Sequence, residues 1–214
     1  MIHVCFGFID GSGKYSKFAG ASICSIFENT KSKVTIHLIH DNTLTESNRE
    51  KFIELAENYR QQIQFYNLET LKPEKLQWIR EQLPWTSTSF LTIGTIYRLF
   101  IPELLSTEID RAIYIDSDTI VNLDLNELWT LNLENKPIAA VPEGLINGGN
   151  KIGSLANQYV VKNGIATNTE YFNCGILVMD LQQVRSRGGG ATFLNRKSNF
   201  FTKIPEQLYS IKFH

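Results

Sequence analysis

The chain has 214 residues and 43% hydrophobic side chains, enough to bury a full core in one α/β domain. Its formal charge of −1 excludes a nucleic-acid surface spread over the molecule, which would need clustered Lys and Arg. The charge is uneven, however: residues 186–214 carry Arg187, Arg196, Lys197, Lys203 and Lys212 against Glu206 alone, so this tail is +4 and the remainder −5. Cys5, Cys24 and Cys174 lie in apolar surroundings, and an odd number of such thiols implies small buried hydrophobes of a reducing compartment rather than a disulfide framework. The first residues enter a strand-like run without a basic flank or cleavage site, and no apolar stretch approaches the roughly 18 residues that span a bilayer. The expected location is the cytoplasm, with any membrane contact peripheral, through the basic tail or a partner.

In chain order, Ile2 to Ile9 reads as a buried strand that opens into the turn cluster Asp10-Gly11-Ser12-Gly13. A helix carrying Phe18, Ala21, Ile23, Cys24, Ile26 and Phe27 follows, then a strand over Val34 to Ile39. Thr45 is placed to cap a helix with Phe52, Leu55, Ala56 and Tyr59 on one stripe, and Ile63 to Tyr66 gives a third strand. This alternation predicts a doubly wound, mostly parallel sheet with flanking helices. Residues 70–93, with Pro73, Pro84 and the run Thr86-Ser87-Thr88-Ser89, break the rhythm and are assigned to a small helix and a loop outside the sheet. The next helix holds Ile96, Leu99 and Phe100 and is expected to be interrupted at Pro102.

Arg111 to Ile115 is then a central strand, followed by a short helix capped by Asp124 and running to Trp129 and a strand over Ile138 to Val141. The Gly- and Asn-rich segment 144–168 reads as a surface loop or a lid over a site. Tyr171-Phe172-Asn173-Cys174-Gly175 leads into a strand over Ile176 to Met179, Asp180 starts a helix, and Gly188-Gly189-Gly190 ends it. Two units are expected: a domain over 1–187, and an atypical basic tail over 188–214 of the kind left by a truncation or a shifted reading frame.

The most informative stretch is Tyr114-Ile115-Asp116-Ser117-Asp118, a hydrophobic strand that ends in two acids two residues apart. If the extended geometry persists through Ser117, both carboxyls project from one face, as alternate strand residues do. Such a pair suits a divalent cation shared with another anion, and Mn²⁺ and Mg²⁺ are hard ions that take oxygen ligands and leave positions for phosphate. A solvated turn or a helix cap is the alternative at this spacing. Open α/β sheets place ligands at the carboxyl ends of their strands, which favours the ion.

Four ordered segments resemble glycosyltransferase family 8, the retaining enzymes that include bacterial galactosyl- and glucosyltransferases. They are Lys14 to Ser22 with Ser25-Ile26, Tyr97-Arg98-Leu99-Phe100-Ile101-Pro102, Tyr114 to Asp118, and Tyr171 to Leu177. The resemblance implies a GT-A type nucleotide-binding fold, a UDP-sugar donor such as UDP-glucose or UDP-galactose, a glycan acceptor and an Mn²⁺ or Mg²⁺ ion. It implies that Asp116 and Asp118 hold the metal and touch the donor, that Asp10 reads the base, that Arg98 lies near the diphosphate and sugar, and that Asn173 and Gly175 line the sugar site. The family continues with an Asp-Gln-Asp segment and a His-x-x-Gly-x-x-Lys-Pro-Trp segment that supplies a histidine ligand. Neither is present: Glu206-Gln207 lacks the second acid, and His214 has no Gly, Lys or Pro-Trp after it. Two other readings follow from the residues. The first is a sugar-nucleotide-binding module that has lost catalysis; the second is a haloacid-dehalogenase-type phosphatase, in which Asp116 would be the nucleophile and Asp118 the acid and base.

Overall fold

The computed structural model describes residues 1–82, 93–142, 172–189, 201–203 and 212–213. The expectations for Pro84 to Ser89, the loop 144–168, Tyr171, Glu206-Gln207 and His214 lie outside the described residues.

Seven strands form one sheet in the order β3-β2-β1-β4-β7-β6-β8. The strands of its first half are β1 (Ile2–Gly7), β2 (Val34–His40), β3 (Gln62–Asn67) and β4 (Arg111–Ile115), all parallel to one another. β2 is buried at every position, as a parallel strand covered on both faces must be, and its polar members Thr35, His37 and His40 are buried with the apolar ones. The second half is mixed. β7 (Phe172–Asp180) runs antiparallel to both β4 and β6 (Ile138–Pro142), while β8 (Phe201–Lys203) is parallel to β6 at the edge. A separate two-stranded ribbon joins β5 (Thr119–Ile120) to β9 (Lys212–Phe213). Two short pieces of the basic tail are thus hydrogen-bonded into the sheets, one of them beside the acidic turn.

Helices cover both faces because the strands are apolar on both. On one face lie α1 (Tyr15–Asn29), α2 (Glu46–Asn58) and α6 (Asn126–Trp129), packed over Val4, Phe6, Ile36, Ile113 and Ile115. On the other lie α3 (Leu68–Leu71), α4 (Pro73–Gln82), a 3₁₀ helix over Ile93–Phe100, α5 (Ile101–Leu104) and α7 (Leu181–Ser186), packed over Cys5, Ile39, Tyr114 and Leu177.

The helix starts follow from their caps. Thr45 accepts the Asn48 N–H at 3.2 Å, and Asp180 accepts the Gln183 N–H at 2.9 Å. Asp124 takes the Asn126 N–H at 3.0 Å as α6 begins. The expected interruption at Pro102 takes another form. The turn before it is 3₁₀, and Pro102 lies in the first turn of α5, where a missing N–H leaves nothing unpaired. This 3₁₀ helix approaches β1 closely: a Cβ on Gly7 would lie 2.9 Å from the Cβ of Tyr97, so only glycine lets the two elements meet.

Strand order reverses between β1 and β4, since β1 is followed outward by β2 on one side and by β4 on the other. This is the switch point where doubly wound sheets leave a crevice at their carboxyl ends. Asp10 follows β1 and Asp116 follows β4, so the topology brings both to that crevice.

Candidate active site

Asp116 and Asp118 do not share a strand face. The strand ends at Ile115, and the Thr119 N–H donates to the Asp116 carbonyl at 3.1 Å, closing a turn over Asp116–Thr119. Asp and Ser favour such local turns over continued extension. The turn is anchored upstream by the Asp116 N–H, which donates to the Gly175 carbonyl at 2.8 Å.

The two acids differ in support. Asp116 Oδ1 accepts the Tyr114 hydroxyl at 2.7 Å and pairs with Arg98 Nη2 at 3.2 Å; Oδ2 has no partner among the described residues. Asp118 is exposed, and neither of its carboxyl oxygens has a partner among the described residues. Burial raises the Asp116 pKa above the usual carboxyl value; Arg98 and the Tyr114 hydroxyl oppose the rise, and the charge of Asp118 adds to it. The two carboxyls therefore feel each other, and a cation between them would relieve the cost of keeping both ionised. The oxygen-only donor set of this turn fits Mn²⁺ or Mg²⁺. Ser117 Oγ and Thr119 Oγ1 are buried in the same turn without partners among the described residues, which is uncommon in a protein interior. Among the described residues no group of three His, Cys, Asp or Glu side chains is arranged for a metal, so the turn offers two protein ligands.

Arg98 is a hub more than a free cation. Its Nε donates to the Thr95 carbonyl at 2.8 Å, Nη1 donates to the Cys174 carbonyl, and Nη2 faces Asp116, while the guanidinium lies 4.5 Å from the centre of the Tyr114 ring. One side chain thus joins the 3₁₀ helix, the end of β4 and β7. Burial works against its charge, but Tyr114, Asp116 and Cys174 outweigh it and leave its pKa raised.

β7 supplies the facing wall through a bulge. Its register against β6 jumps from Ala140 opposite Leu177 to Val141 opposite Asn173, which pushes residues 174–176 out of the ladder. Inside that bulge Asn173 Oδ1 accepts the Gly175 N–H at 2.7 Å, so the amide's oxygen is committed to the backbone. Through the Gly175 carbonyl on the Asp116 N–H and the Cys174 carbonyl on Arg98, this bulge lies against the acidic turn.

Asp10 is brought to the same rim but is fully engaged. Its Oδ1 accepts the N–H groups of Tyr15 at 2.8 Å and Ser16 at 3.2 Å, and its Oδ2 accepts the Ser16 hydroxyl and the Asn48 amide, the latter at 3.0 Å. At 2% exposure it caps α1 from four residues before the helical N-cap position and has no oxygen turned to a ligand. Tyr15, at the start of α1, belongs to the rim as well: its pKa is raised by burial and then by Asp118 and Asp116, which places its phenol in their field. Sequence reasoning missed Tyr15 and Tyr114. The second was findable, because Tyr114 precedes Asp116 by two residues and therefore shares its side of the strand.

The family model for glycosyl transferase family 8 matches residues 8–198. General stress protein A of Bacillus subtilis is 23% identical over 195 residues, which is 90% of this chain and 60% of that protein. The lipopolysaccharide 1,3-galactosyltransferase of Salmonella typhimurium is 30% identical over 165 residues, 76% of this chain and 44% of that protein. Among solved structures, the galactosyltransferase LgtC in complex with donor and acceptor sugar analogs superposes with a TM-score of 0.66 at 22% identity, covering 89% of this chain and 62% of that one. A mannosyltransferase solved with GDP-Man and Mn²⁺ shares the fold at a TM-score of 0.56. The chain spans about half the length of the curated relatives it matches, 44–60% in the first five. No helix among the described residues is long and apolar enough to cross a membrane. With the GT-A arrangement of strands and the acidic turn at its switch point, the matched span of residues 8–198 places this chain in glycosyltransferase family 8.

Proposed function

We propose that this chain is the nucleotide-sugar-binding domain of a retaining hexosyltransferase, which takes glucose or galactose from a UDP-sugar and passes it to a glycan acceptor. The observation that carries this reading is the turn after β4: three carboxyl oxygens, Oδ2 of Asp116 and both of Asp118, have no partner among the described residues at the switch point of the sheet. Asp116 and Asp118 would hold Mn²⁺ or Mg²⁺, which when bound supplies a Lewis acid to offset charge on the departing UDP.

The side chains of this protein divide the remaining work. Tyr114 and Arg98 keep Asp116 Oδ1 occupied, so that Oδ2 is the oxygen turned outward. The Asn173 amide, with its oxygen held by the Gly175 N–H, has no acceptor for its NH₂ among the described residues and would donate it to a sugar hydroxyl or a phosphate oxygen. Arg98 contributes a fixed positive charge from below the site, and preorganised charge of this kind commonly supplies several kcal/mol when the reaction develops negative charge nearby. No side chain in the described site stands as a nucleophile towards the sugar, which favours attack of the acceptor on the face that the leaving phosphate vacates. The atypical tail over 188–214 is proposed to bear on activity; the acidic turn itself lies within residues 1–187, with β9 of the tail paired to β5 beside it.

Calorimetric titration with UDP-glucose and UDP-galactose, with and without Mn²⁺, tests the reading. Metal-dependent binding of one of the two, reversed by a chelator, is expected. Absence of binding by folded protein would reject the site. Donor hydrolysis measured alongside separates a transferase, which releases free hexose slowly, from a binding module, which releases none.

A further inference from the structure

The two acids of the turn are held by different means. Asp116 is gripped through its own carboxyl, by Tyr114 and Arg98. Asp118 has no side-chain partner among the described residues, so its direction is set by the backbone on either side of it. Upstream, that backbone is fixed by the Asp116 N–H on the Gly175 carbonyl. Downstream, Thr119 closes the turn onto the Asp116 carbonyl, Thr119 and Ile120 pair with β9, and at Val121, three residues on, the partner is α1: the Val121 N–H donates to Ser25 Oγ at 2.9 Å, and the Val121 carbonyl accepts the Asn29 amide, also at 2.9 Å.

Both groups on α1 are themselves prevented from wandering. The Ser25 hydroxyl donates to the Ser22 carbonyl at 2.7 Å, which leaves its lone pairs for Val121, and the Asn29 amide is shared with the Ser25 carbonyl at 2.9 Å. α1 in turn is tied at its start by Asp10, so the helix transmits one rigid reference from the β1 rim to the β4 rim. β5 is only two residues long and, among the described residues, pairs with the equally short β9 alone, a ribbon too small to set the register of the turn by itself.

We infer that Ser25 and Asn29 of α1 are positioning residues for the ion-binding turn: by clamping both backbone groups of Val121 they aim the otherwise unsupported Asp118 carboxyl at the position that Asp116 Oδ2 faces. This rests on the reading of Asp116 and Asp118 as the ion site. A clamp that only stabilised the fold would lower thermal stability when cut and leave ion affinity alone. A positioning clamp lowers ion affinity beyond what a comparable bond elsewhere does.

The test compares Ser25→Ala, Ser25→Thr, Asn29→Ala and Ser32→Ala in the full chain. Ser32→Ala serves as the control, because Ser32 Oγ donates to Asn126 Oδ1 at 2.8 Å and ties the same segment farther from the turn. Mn²⁺ affinity is read from the free-ion electron paramagnetic resonance signal in the presence of UDP, and thermal midpoints are read beside it. Ser25→Ala is expected to weaken Mn²⁺ binding roughly fivefold, the loss of about one hydrogen bond, with recovery in Ser25→Thr and no change in Ser32→Ala. If Ser25→Ala does not fold, Asn29→Ala, an exposed change, carries the test with the same direction of effect. Equal Mn²⁺ affinity in wild type, Ser25→Ala and Asn29→Ala, with midpoints lowered as in Ser32→Ala, overturns the clamp and leaves the ion site standing. Failure of the wild type to bind Mn²⁺ with UDP rejects the ion site, and the clamp with it.

Discussion

Two polar regions of this molecule are built on opposite plans. At the amino end and the β1 rim, polar groups close on one another. His3 Nδ1 and His37 Nε2 meet at 2.9 Å, His37 Nδ1 reaches the Tyr66 hydroxyl at 3.0 Å, and that hydroxyl donates to Gln64 Oε1 at 2.7 Å, so the chain has a donor for each acceptor. Asp10 likewise spends both carboxyl oxygens on α1 and on Asn48. At the β4 rim the plan is the reverse: among the described residues one oxygen of Asp116, both of Asp118 and the buried hydroxyls of Ser117 and Thr119 have no partner. A closed network stabilises a fold, whereas an open one costs stability that only a ligand restores. An acid at a strand end therefore says little about function until its remaining lone pairs have been counted.

The largest expected effect falls on the closed side. Asp10→Ala leaves two N–H groups at the start of α1, the Ser16 hydroxyl and the Asn48 amide without their acceptor, and is expected to lower stability by about 3 kcal/mol. Urea unfolding measures this, and a loss under about 1 kcal/mol would mean that Asp10 is not the cap described. Next in size, Asp118→Asn should weaken Mn²⁺-supported UDP binding roughly a hundredfold while shifting the ion-free unfolding free energy by no more than about 0.5 kcal/mol, since the side chain is exposed and unpartnered. A large stability loss there would erase the contrast between the two rims.

The smallest effect is a pH dependence of the closed network. Burial, with the neighbouring His3 adding to it, depresses the His37 pKa from 6.5 to about 3. An unfolded chain therefore binds a proton on this ring that the folded one refuses. The stability this gives is present in full above pH 6.5 and is lost as pH falls from 6.5 towards 3, by at most about 1.4 kcal/mol per pH unit. Unfolding free energies at pH 7 and pH 5 should show that slope, and His37→Gln should flatten it; an unchanged slope would assign the acid sensitivity to other groups.

Much of the architecture could be read along the chain. The apolar runs at Val34 to Ile39 and Arg111 to Ile115 could only be buried strands, and Thr45 and Asp180 announced helix starts by residue type. The proximity of Asp116 and Asp118 was legible too, but not its geometry, because the same Asp-Ser-Asp that suggested a shared face also favours the turn that forms. Arg98 was identified without its true standing: a helical arginine looks free in sequence, and its ties to Thr95, Cys174 and Asp116 depend on elements up to 76 residues apart. The engagement of Asp10 was hidden for a related reason, since the groups that take its oxygens include Asn48, 38 residues away.

Local pattern, by itself, determined which segments are strands and helices, that the sheet is largely parallel, and that an acidic pair closes a central strand; these follow from short-range periodicity and from the burial that apolar runs demand. Only the tertiary structure decided which acids keep free oxygens. That depends on hydrogen-bond partners brought in from distant elements, and on a bulge in β7 whose register is set by pairing with β6 rather than by its own sequence.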